Sequence, residues 1–241
     1  MRARYDSLAA VLAMSLILVS ACNNVTDAGI TDEARAPDAS KIAAPASETE
    51  TLIKAAPFRI VMLGDSLTAG FGLSQADALP EQVERLLIAD GERVELVNAG
   101  VSGDTSAGGL ARYDWSVASA DPDMLVLALG ANDYLSGMDP AQTKANLSAI
   151  VERAAADDLE ILLVSLSARS SAQNDPRAAA FADIYPELAE TYGVRLYEGL
   201  VDPIFDQPDY LMADGLHPTA EGIGVIAHPL AETLSEFLAR E

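Results

Sequence analysis

From Pro57 onward, the sequence alternates short apolar runs with longer amphipathic segments. A short apolar run between turn residues is typical of a strand buried on both faces, and an amphipathic segment is typical of a helix that covers a sheet. The alternation therefore predicts βα units around a mostly parallel sheet. We place five strands at residues 58–63, 93–97, 124–129, 160–166 and 194–197.

The segments between these strands are too long for hairpins and have the length of crossover connections. We predict helices over residues 78–89, 105–118, 140–156 and 176–192. A last helix follows Pro218, which suits a first helical turn because the N–H that proline lacks has no partner there. Right-handed crossovers place such helices on both faces of the sheet, so the sequence predicts a doubly wound α/β fold.

In doubly wound sheets, ligands bind beyond the carboxyl ends of the strands. Polar and glycine-rich clusters occupy the corresponding positions of this chain: residues 64–66 follow the first strand, residues 98–109 the second and residues 130–133 the third. We therefore expect these clusters to meet at one edge of the sheet and to form the functional site.

Ser66 comes directly after the first strand and before the glycine-containing stretch 68–72, which predicts that its hydroxyl is presented on a tight turn. A hydroxyl is a weak nucleophile unless a base, most often histidine, lies beside it. The chain has two histidines. His217 lies three residues after Asp214, which would hold its tautomer, whereas His228 falls within the last predicted helix as a packing or surface residue.

Acyl transfer also needs hydrogen-bond donors at the developing oxyanion. Gly103 has no side chain to block its backbone N–H, and Asn132 carries an amide donor. Taken singly, Asp214 and His217 also fit a helix cap and a surface histidine, and Gly103 and Asn132 also fit ordinary turn residues. Only the combination points to acyl transfer.

Four short motifs occur in order: Gly64-Asp65-Ser66-Leu67, Gly103-Asp104-Thr105, Gly130-x-Asn132-Asp133 and Asp214-x-x-His217-Pro218. Over residues 57–241 they resemble the four conserved blocks of the GDSL or SGNH hydrolase family, and they are most similar to its bacterial arylesterases, acyl-CoA thioesterases I and lysophospholipases. The resemblance implies a flavodoxin-like three-layer α/β/α sandwich and a serine esterase that hydrolyses aryl or acyl esters or thioesters, lysophospholipids included.

By the same resemblance, Ser66 is the nucleophile, His217 its base and Asp214 the residue that orients the base. The backbone N–H groups of Ser66 and Gly103 and the side chain of Asn132 are implied to form the oxyanion hole. Asp65 and Asp133 also belong to these motifs, and we assign both to hydrogen bonding within the loops.

Two segments depart from the family pattern. Tyr134-Leu135 follows the Asn-Asp pair where relatives often have Gly-Leu, and residues 168–176 lack the Asn-Tyr-Gly pattern that is common after the fourth strand. Both segments lie where the length of the acyl chain is expected to be recognised.

The single cysteine, Cys22, allows no disulfide within the chain and no cysteine-rich metal site. Arg2 and Arg4 precede an apolar run over residues 8–19, and small residues follow it before Cys22. The pattern resembles a bacterial lipoprotein signal, with residues 1–21 as the signal peptide and Cys22 as the lipidation site. The run is shorter than the ~20 residues of a membrane-spanning helix, so we expect an anchored chain, with plain secretion as the alternative.

Residues 22–56 are rich in Ala, Asp, Glu, Thr, Ser and Pro, with no aromatic residue and no sustained apolar period, which predicts a disordered tether between the anchor and the catalytic domain, residues 57–241. The protein is then exported and held by lipid on the periplasmic side of the cell envelope. Asn23, where an aspartate would favour inner-membrane retention, favours the outer membrane in a Gram-negative host.

The charge balance bears on possible partners. The chain has 15 Lys and Arg against 37 Asp and Glu, a net charge of −22, which disfavours nucleic acid as a partner. We expect no metal or organic cofactor, because the sequence has no His or Cys cluster to hold a transition metal. The expected partners are a small-molecule or lipid ester and, through the N-terminal lipid, a membrane.

Three other functions remain open from the sequence. The substrate could be an acetylated saccharide or cell-wall polymer; the fold could serve a non-catalytic envelope binding lipoprotein; or the glycine-rich loops could bind a nucleotide or phosphate. The last possibility is disfavoured by the acidic charge and by the lack of a phosphate-loop lysine.

Overall fold

The computed structural model describes residues 56–166 and 175–239. These residues contain five strands: β1 (Phe58–Gly64), β2 (Val94–Gly100), β3 (Met124–Ala128), β4 (Glu160–Val164) and β5 (Arg195–Tyr197). All neighbouring strands pair in parallel, in the order β2-β1-β3-β4-β5. The predicted five-stranded parallel sheet is confirmed, with small shifts at the strand ends.

The same residues contain the helices α1 (Ser66–Ala69), α2 (Leu79–Ala89), α3 (Ser106–Ala111), α4 (Tyr113–Ser116), α5 (Ala131–Leu135), α6 (Pro140–Ala156), α7 (Pro176–Tyr192) and α8 (Ala220–Leu238). Short 3-10 turns lie at Gln75–Asp77, Ala118–Ala120, Asp202–Ile204 and Pro208–Tyr210. The helix α5, which follows β3 at once, was not expected from the sequence.

Both faces of the sheet are buried, because successive residues of β1 point to opposite sides. Ile60 and Met62 belong to the core layer formed with α2 and α8, whereas Val61 and Leu63 belong to the layer formed with α6 and α7. All four side chains are 0% exposed. A strand that is apolar on both sides requires cover on both sides, and the predicted three-layer α/β/α sandwich is confirmed.

Two long helices begin where the sequence predicted them. Asp139 and Asp175 precede the first residues of α6 and α7, and each carboxylate accepts a backbone N–H from the first turn at 2.9 Å. Proline follows each aspartate, at a position where the missing N–H has no helical partner. Local capping chemistry thus explains the helix starts at Pro140 and Pro176.

Two predictions about helices were wrong. The helix predicted over residues 105–118 is the pair α3 and α4, because Arg112 leaves helical geometry between them. The adjacent glycines at 108 and 109 weaken a helix there by ~1 kcal/mol each relative to alanine. Pro218 is not in the first turn of α8: Thr219 caps that helix by accepting the N–H of Gly222, and Pro218 instead bridges to Leu211.

The helix α1 packs closely on the ends of β1 and β2. Gly64 and Gly100 are paired in register, and a Cβ atom on Gly64 would lie 2.0 Å from Oγ1 of Thr68. A Cβ atom on Gly100 would lie 2.2 Å from the backbone N of Ala69. Only glycine allows this approach, which places the first residue of α1 directly above the edge of the sheet.

Among the described residues, none of the helices has the length and apolar character needed to cross a membrane. The predicted signal peptide, the lipidation site Cys22, the tether up to residue 55 and residues 167–174 lie outside the described residues. His228 is exposed on α8, in agreement with its interpretation as a packing or surface residue.

Candidate active site

The ends of three adjacent strands and one distant loop surround a single open pocket. Ser66 follows β1, Gly103 follows β2 and Asn132 follows β3, and all three line this pocket together with His217 from the loop before α8. In the sheet, β2 lies on one side of β1 and β3 on the other, so the strand order reverses at β1. Doubly wound sheets bind ligands at such a position. The structure therefore brings together the residues that the sequence singled out.

Ser66 is the first residue of α1 and not part of a simple turn. Oδ1 of Asp65 accepts the N–H of Leu67 at 3.1 Å and caps this helix, and Gly70 ends it with a left-handed conformation, φ +72°. The first N–H groups of a helix have no acceptor within the helix. The backbone N–H of Ser66 is thus available to an oxygen in the pocket.

Ser66, His217 and Asp214 form a continuous hydrogen-bonded chain. Oγ of Ser66 lies 2.9 Å from Nε2 of His217, and Nδ1 of His217 lies 2.7 Å from Oδ2 of Asp214. With Nδ1–H donated to the carboxylate, Nε2 is left as the acceptor for the serine hydroxyl. This tautomer is the one in which the imidazole can remove the proton of Ser66.

The loop that carries His217 is held by its own backbone. The N–H of Met212 donates to the carbonyl of His217 at 2.7 Å, and the N–H of Thr219 donates to the carbonyl of Tyr210 at 2.8 Å. These bonds close the loop at its base and leave Asp214 at its tip. The backbone of His217 is therefore held by bonds within its own loop, independently of the contact with Ser66.

Asp214 is 41% exposed in its side chain but makes several hydrogen bonds. The bond to the His217 ring lowers the pKa of Asp214 most, and the N–H groups of His217 and Leu216, which donate to Oδ1, add to the effect. The pKa of Asp214 falls to about 2. The carboxylate is consequently ionised at any pH near neutrality.

Gly103 and Asn132 present donors from the neighbouring loops. Gly103 has φ +82°, and among the described residues other than its two chain neighbours, no atom lies within 4 Å of where its Cβ would be. Nδ2 of Asn132 donates to the carbonyl of Asp104 at 2.9 Å and, at the longer distance of 3.3 Å, to Oδ2 of Asp65. Because the amide is planar, the bond to Asp104 also determines the direction of the second N–H.

Asp65 and Asp133 bond to the loops, as the sequence predicted. Asp133 is fully buried and accepts the N–H of Ser106 at 2.8 Å, the hydroxyl of Ser106, and the hydroxyl of Thr143 at 3.1 Å. Burial raises the pKa of Asp65 above its usual value, and the bond from the N–H of Leu67 works against this rise.

Among the described residues, no group of three or more His, Cys, Asp or Glu side chains is arranged to hold a metal ion.

Phe71 is a site residue that the sequence reasoning missed. Its ring lies 4.3 Å from the imidazole of His217 between ring centroids, at an interplanar angle of 33°. The side chain covers one face of the base and restricts its rotation, although Phe71 itself is 46% exposed. An aromatic residue between two glycines, Gly70 and Gly72, directly after the Ser66 motif was the available signal.

The pocket beside Ser66 is large and mostly apolar. Its volume is about 1010 Å³, at the upper end of the ~300–1,000 Å³ range of small-molecule sites. Its apolar walls come from α5, from α7 and from the segment after β5: Tyr134, Leu135, Ala178, Phe181, Ala182, Tyr185, Val201, Ile204 and Phe205. Such a lining suits a hydrocarbon chain attached to the reacting group.

Comparison with known proteins agrees with this geometry. The profile of the GDSL-like lipase/acylhydrolase family matches residues 62–223. The chain belongs to this family. It is 31% identical over 180 residues to an arylesterase of Vibrio mimicus, covering 75% of this chain and 90% of that one. It is 34% identical over 191 residues to thioesterase 1/protease 1/lysophospholipase L1 of Escherichia coli (strain K12), covering 78% and 88% respectively.

A solved structure shows the same fold. The psychrotrophic esterase EstA from Pseudoalteromonas sp., in a structure inhibited by monoethylphosphonate, matches with a TM-score of 0.70 and 25% identity, covering 76% of this chain and 99% of that one. Family membership and these relatives show that the protein is a GDSL-type serine esterase, a carboxylic ester hydrolase.

The Asp214 pKa leads to a pH-dependent test. Asp214→Asn keeps the shape of the side chain and removes its charge, and we expect kcat for p-nitrophenyl butyrate to fall by roughly 10³–10⁴-fold. Because a pKa of about 2 keeps the native carboxylate ionised, the variant should stay at least about tenfold below the native kcat from about pH 5 to pH 8.

The matched control is Asp209→Asn, which removes another exposed carboxylate from the same part of the chain and should leave kcat within about twofold of the native value. A variant whose kcat comes within about tenfold of the native value in this pH range would contradict the role of the Asp214 carboxylate.

Proposed function

We propose that this serine esterase hydrolyses acyl esters and thioesters, lysophospholipids among them, with Ser66 as nucleophile, His217 as base and Asp214 as the residue that orients the base. The observation that carries the proposal is the Ser66–His217–Asp214 hydrogen-bonded chain at the rim of a large apolar pocket. The names of the relatives, arylesterase and thioesterase 1/protease 1/lysophospholipase L1, support this range of substrates.

In the first step, Oγ of Ser66 attacks the carbonyl carbon while Nε2 of His217 accepts the hydroxyl proton. The carbonyl oxygen becomes an oxyanion, held by the N–H groups of Ser66 and Gly103 and by the amide of Asn132. His217 then protonates the leaving alcohol or thiol, which departs and leaves an acyl-serine. Water then attacks the carbonyl of the acyl-enzyme while Nε2 of His217 accepts its proton. His217 returns the proton to Oγ of Ser66, so the carboxylic acid is released and the free serine is regenerated.

The pocket supports an acyl chain as the part of the substrate that is bound. Each methylene transferred from water to an apolar wall contributes up to ~0.8 kcal/mol, or about fourfold in binding. Asp206 and Gln207 also line the pocket, but most of its surface is apolar, with Phe181, Ile204 and Phe205 among its walls. The geometry therefore favours acyl esters over acetyl-saccharides.

We also propose that the enzyme works at the cell envelope as a lipoprotein. Support comes from the sequence alone: the short apolar run before Cys22 fits a lipoprotein signal, and residues 22–56 fit a tether. A lipid-anchored esterase would meet lysophospholipids in the membrane that holds it. This location agrees with an apolar pocket beside the reacting serine.

The first test is hydrolysis of p-nitrophenyl esters from acetate to palmitate by the full-length chain, with Ser66→Ala beside it. We expect native activity that rises with chain length until the pocket is filled, and a loss of at least ~10³-fold in Ser66→Ala because the nucleophile is gone. The measurements are the initial rates of hydrolysis and the covalent labelling by a phosphonate ester, which should label the native enzyme and not Ser66→Ala.

Failure of the native enzyme to hydrolyse any ester of the series, together with release of acetate from acetylated saccharides, would replace this proposal by the carbohydrate esterase. Failure on both classes of substrate would favour a binding lipoprotein. An active Ser66→Ala would contradict the role of Ser66.

Tyr134 is in position to limit the length of the acyl chain. Its ring packs edge-on against Phe181 at 5.4 Å between centroids and lies 4.7 Å from the guanidinium carbon of Arg177. Its hydroxyl is 3.3 Å from Oδ2 of Asp175. These contacts hold a bulky ring in the pocket wall, two residues after Asn132, where relatives often have glycine.

Removing this ring should therefore lengthen the site. For Tyr134→Ala, we expect the optimum of kcat/KM over the ester series to move by two or more carbons towards longer chains, because the space of the ring becomes available. Tyr134→Phe is the matched control: it keeps the ring, loses only the contact to Asp175 and should keep the native optimum. An unchanged optimum in Tyr134→Ala would place chain-length selection elsewhere.

The proposed anchor is tested by Cys22→Ala in the native bacterial host. We expect the native protein to fractionate with membranes and to carry a diacylglyceryl group at an N-terminal Cys22, detected by mass spectrometry. Cys22→Ala should lose the lipid while its esterase kcat stays within about twofold. A native chain recovered without lipid, with its N-terminus at or after Cys22, would instead support plain secretion.

A further inference from the structure

Arg112 is a buried cation beside the active site that the proposed reaction does not use. It lies at the break between α3 and α4 and is only 6% exposed. A buried guanidinium needs acceptors for its donors, and Arg112 has three: a carboxylate, a backbone carbonyl and a serine hydroxyl. Two of these acceptors, the Asp104 carboxylate and the Gly64 carbonyl, belong to the sequence motifs that contain the site residues.

The first contact joins Arg112 to the Gly103 loop. Nε of Arg112 donates to Oδ2 of Asp104 at 2.7 Å, and the two side chains are 8% and 12% exposed, so water screens the pair little. Asp104 follows Gly103 directly, and its carbonyl accepts Nδ2 of Asn132 at 2.9 Å. By holding Asp104, Arg112 therefore acts on two of the proposed oxyanion donors.

The second contact joins Arg112 to the nucleophile. Nη2 of Arg112 donates to the carbonyl of Gly64 at 2.9 Å, in a buried position. Gly64 ends β1 two residues before Ser66, and the same carbonyl also accepts the N–H of Val101 at 3.1 Å. The third proposed oxyanion donor, the N–H of Ser66, is thus tied to the same guanidinium.

We infer that Arg112 is the positioning residue of the oxyanion hole: one rigid guanidinium sets the distances between the donors of Ser66, Gly103 and Asn132. The planar fork of arginine suits this task, because its donors have fixed relative directions and lysine has only a point charge. The inference rests on the proposed roles of those three residues. Arg112 does not line the pocket.

A residue of this kind should affect the transition state more than substrate binding. The oxyanion exists only after Ser66 has attacked, so displaced donors lower kcat and leave KM nearly unchanged. Misplacement of catalytic groups by about 1 Å can cost 10²-fold in rate. A merely structural arginine would instead reduce stability and leave the kcat of the folded enzyme intact.

Arg59, a more exposed arginine of β1, provides a control with similar hydrogen-bond partners. It binds a carboxylate, Glu95, at 3.1 Å and a backbone carbonyl, that of Ala120, at 2.8 Å, as Arg112 does with its own partners. It lies near the start of β1, at the end of the sheet opposite to the pocket. Arg59→Ala removes a similar set of bonds without contact to the site.

The experiment compares Arg112→Ala, Arg112→Lys and Arg59→Ala in the full-length enzyme, with Tm, kcat and KM for p-nitrophenyl butyrate. We expect kcat to fall by ~10²-fold in Arg112→Ala and ~10-fold in Arg112→Lys, with KM within about threefold. Added guanidinium at millimolar concentration should restore part of the activity of Arg112→Ala. The kcat of Arg59→Ala should stay within about twofold of the native value.

A second readout reports on the oxyanion itself. An alkyl trifluoromethyl ketone forms a serine hemiketal whose oxyanion occupies the hole, so its Ki should rise in Arg112 variants by the same factor by which kcat/KM falls. Native turnover and its loss in Ser66→Ala test the proposed function separately, so a failure of that proposal is distinguishable from a failure of this one.

A kcat for Arg112→Ala within about threefold of native would overturn the inference, as would a rise in KM at constant kcat or a Ki that does not follow kcat/KM. Where Arg112→Ala does not yield folded protein, Arg112→Lys decides by the same criteria.

Discussion

The parallel register of β1 with its two neighbours is the constraint on which the site depends. Gly64 is paired with Gly100 of β2 and with Ala128 of β3, so the three strands end side by side. Each strand is followed within a few residues by one of the proposed oxyanion donors, on Ser66, Gly103 and Asn132. A shift of one strand by one residue would separate these donors and would also exchange the side chains that face the two helical layers.

Much of this arrangement could be predicted from the sequence, because it follows from local patterns. The strands and the helices α6 and α7 follow from apolar periodicity and from Asp-Pro capping pairs. Since parallel strands end at a common edge, the polar residues after β1, β2 and β3 had to meet. The location of the site was therefore predictable from the strand pattern, without knowledge of any side-chain position.

What the sequence did not predict depends on where single side chains point. The stacking of Phe71 on His217 joins residues far apart in the chain, and no spacing rule connects them. Arg112 lies in a segment that reads as one continuous helix, and its inward turn breaks that helix because Asp104 and the Gly64 carbonyl supply acceptors for it. Tertiary hydrogen bonds, which periodicity does not encode, override the local pattern in this segment.

The Asp214–His217 and Arg112–Asp104 pairs have different proposed tasks, and their burial explains the difference. Asp214 is 41% exposed, so mobile ions screen its charge and its effect on His217 depends on direct hydrogen-bond geometry. The pair of Arg112 and Asp104 is 8% and 12% exposed, so added salt affects it much less. On the proposed roles, Asp214 acts on His217 through direct hydrogen bonds, whereas the buried pair keeps the loops of Gly103 and Asn132 in place. Proton transfer and oxyanion binding can then be tuned separately in one site.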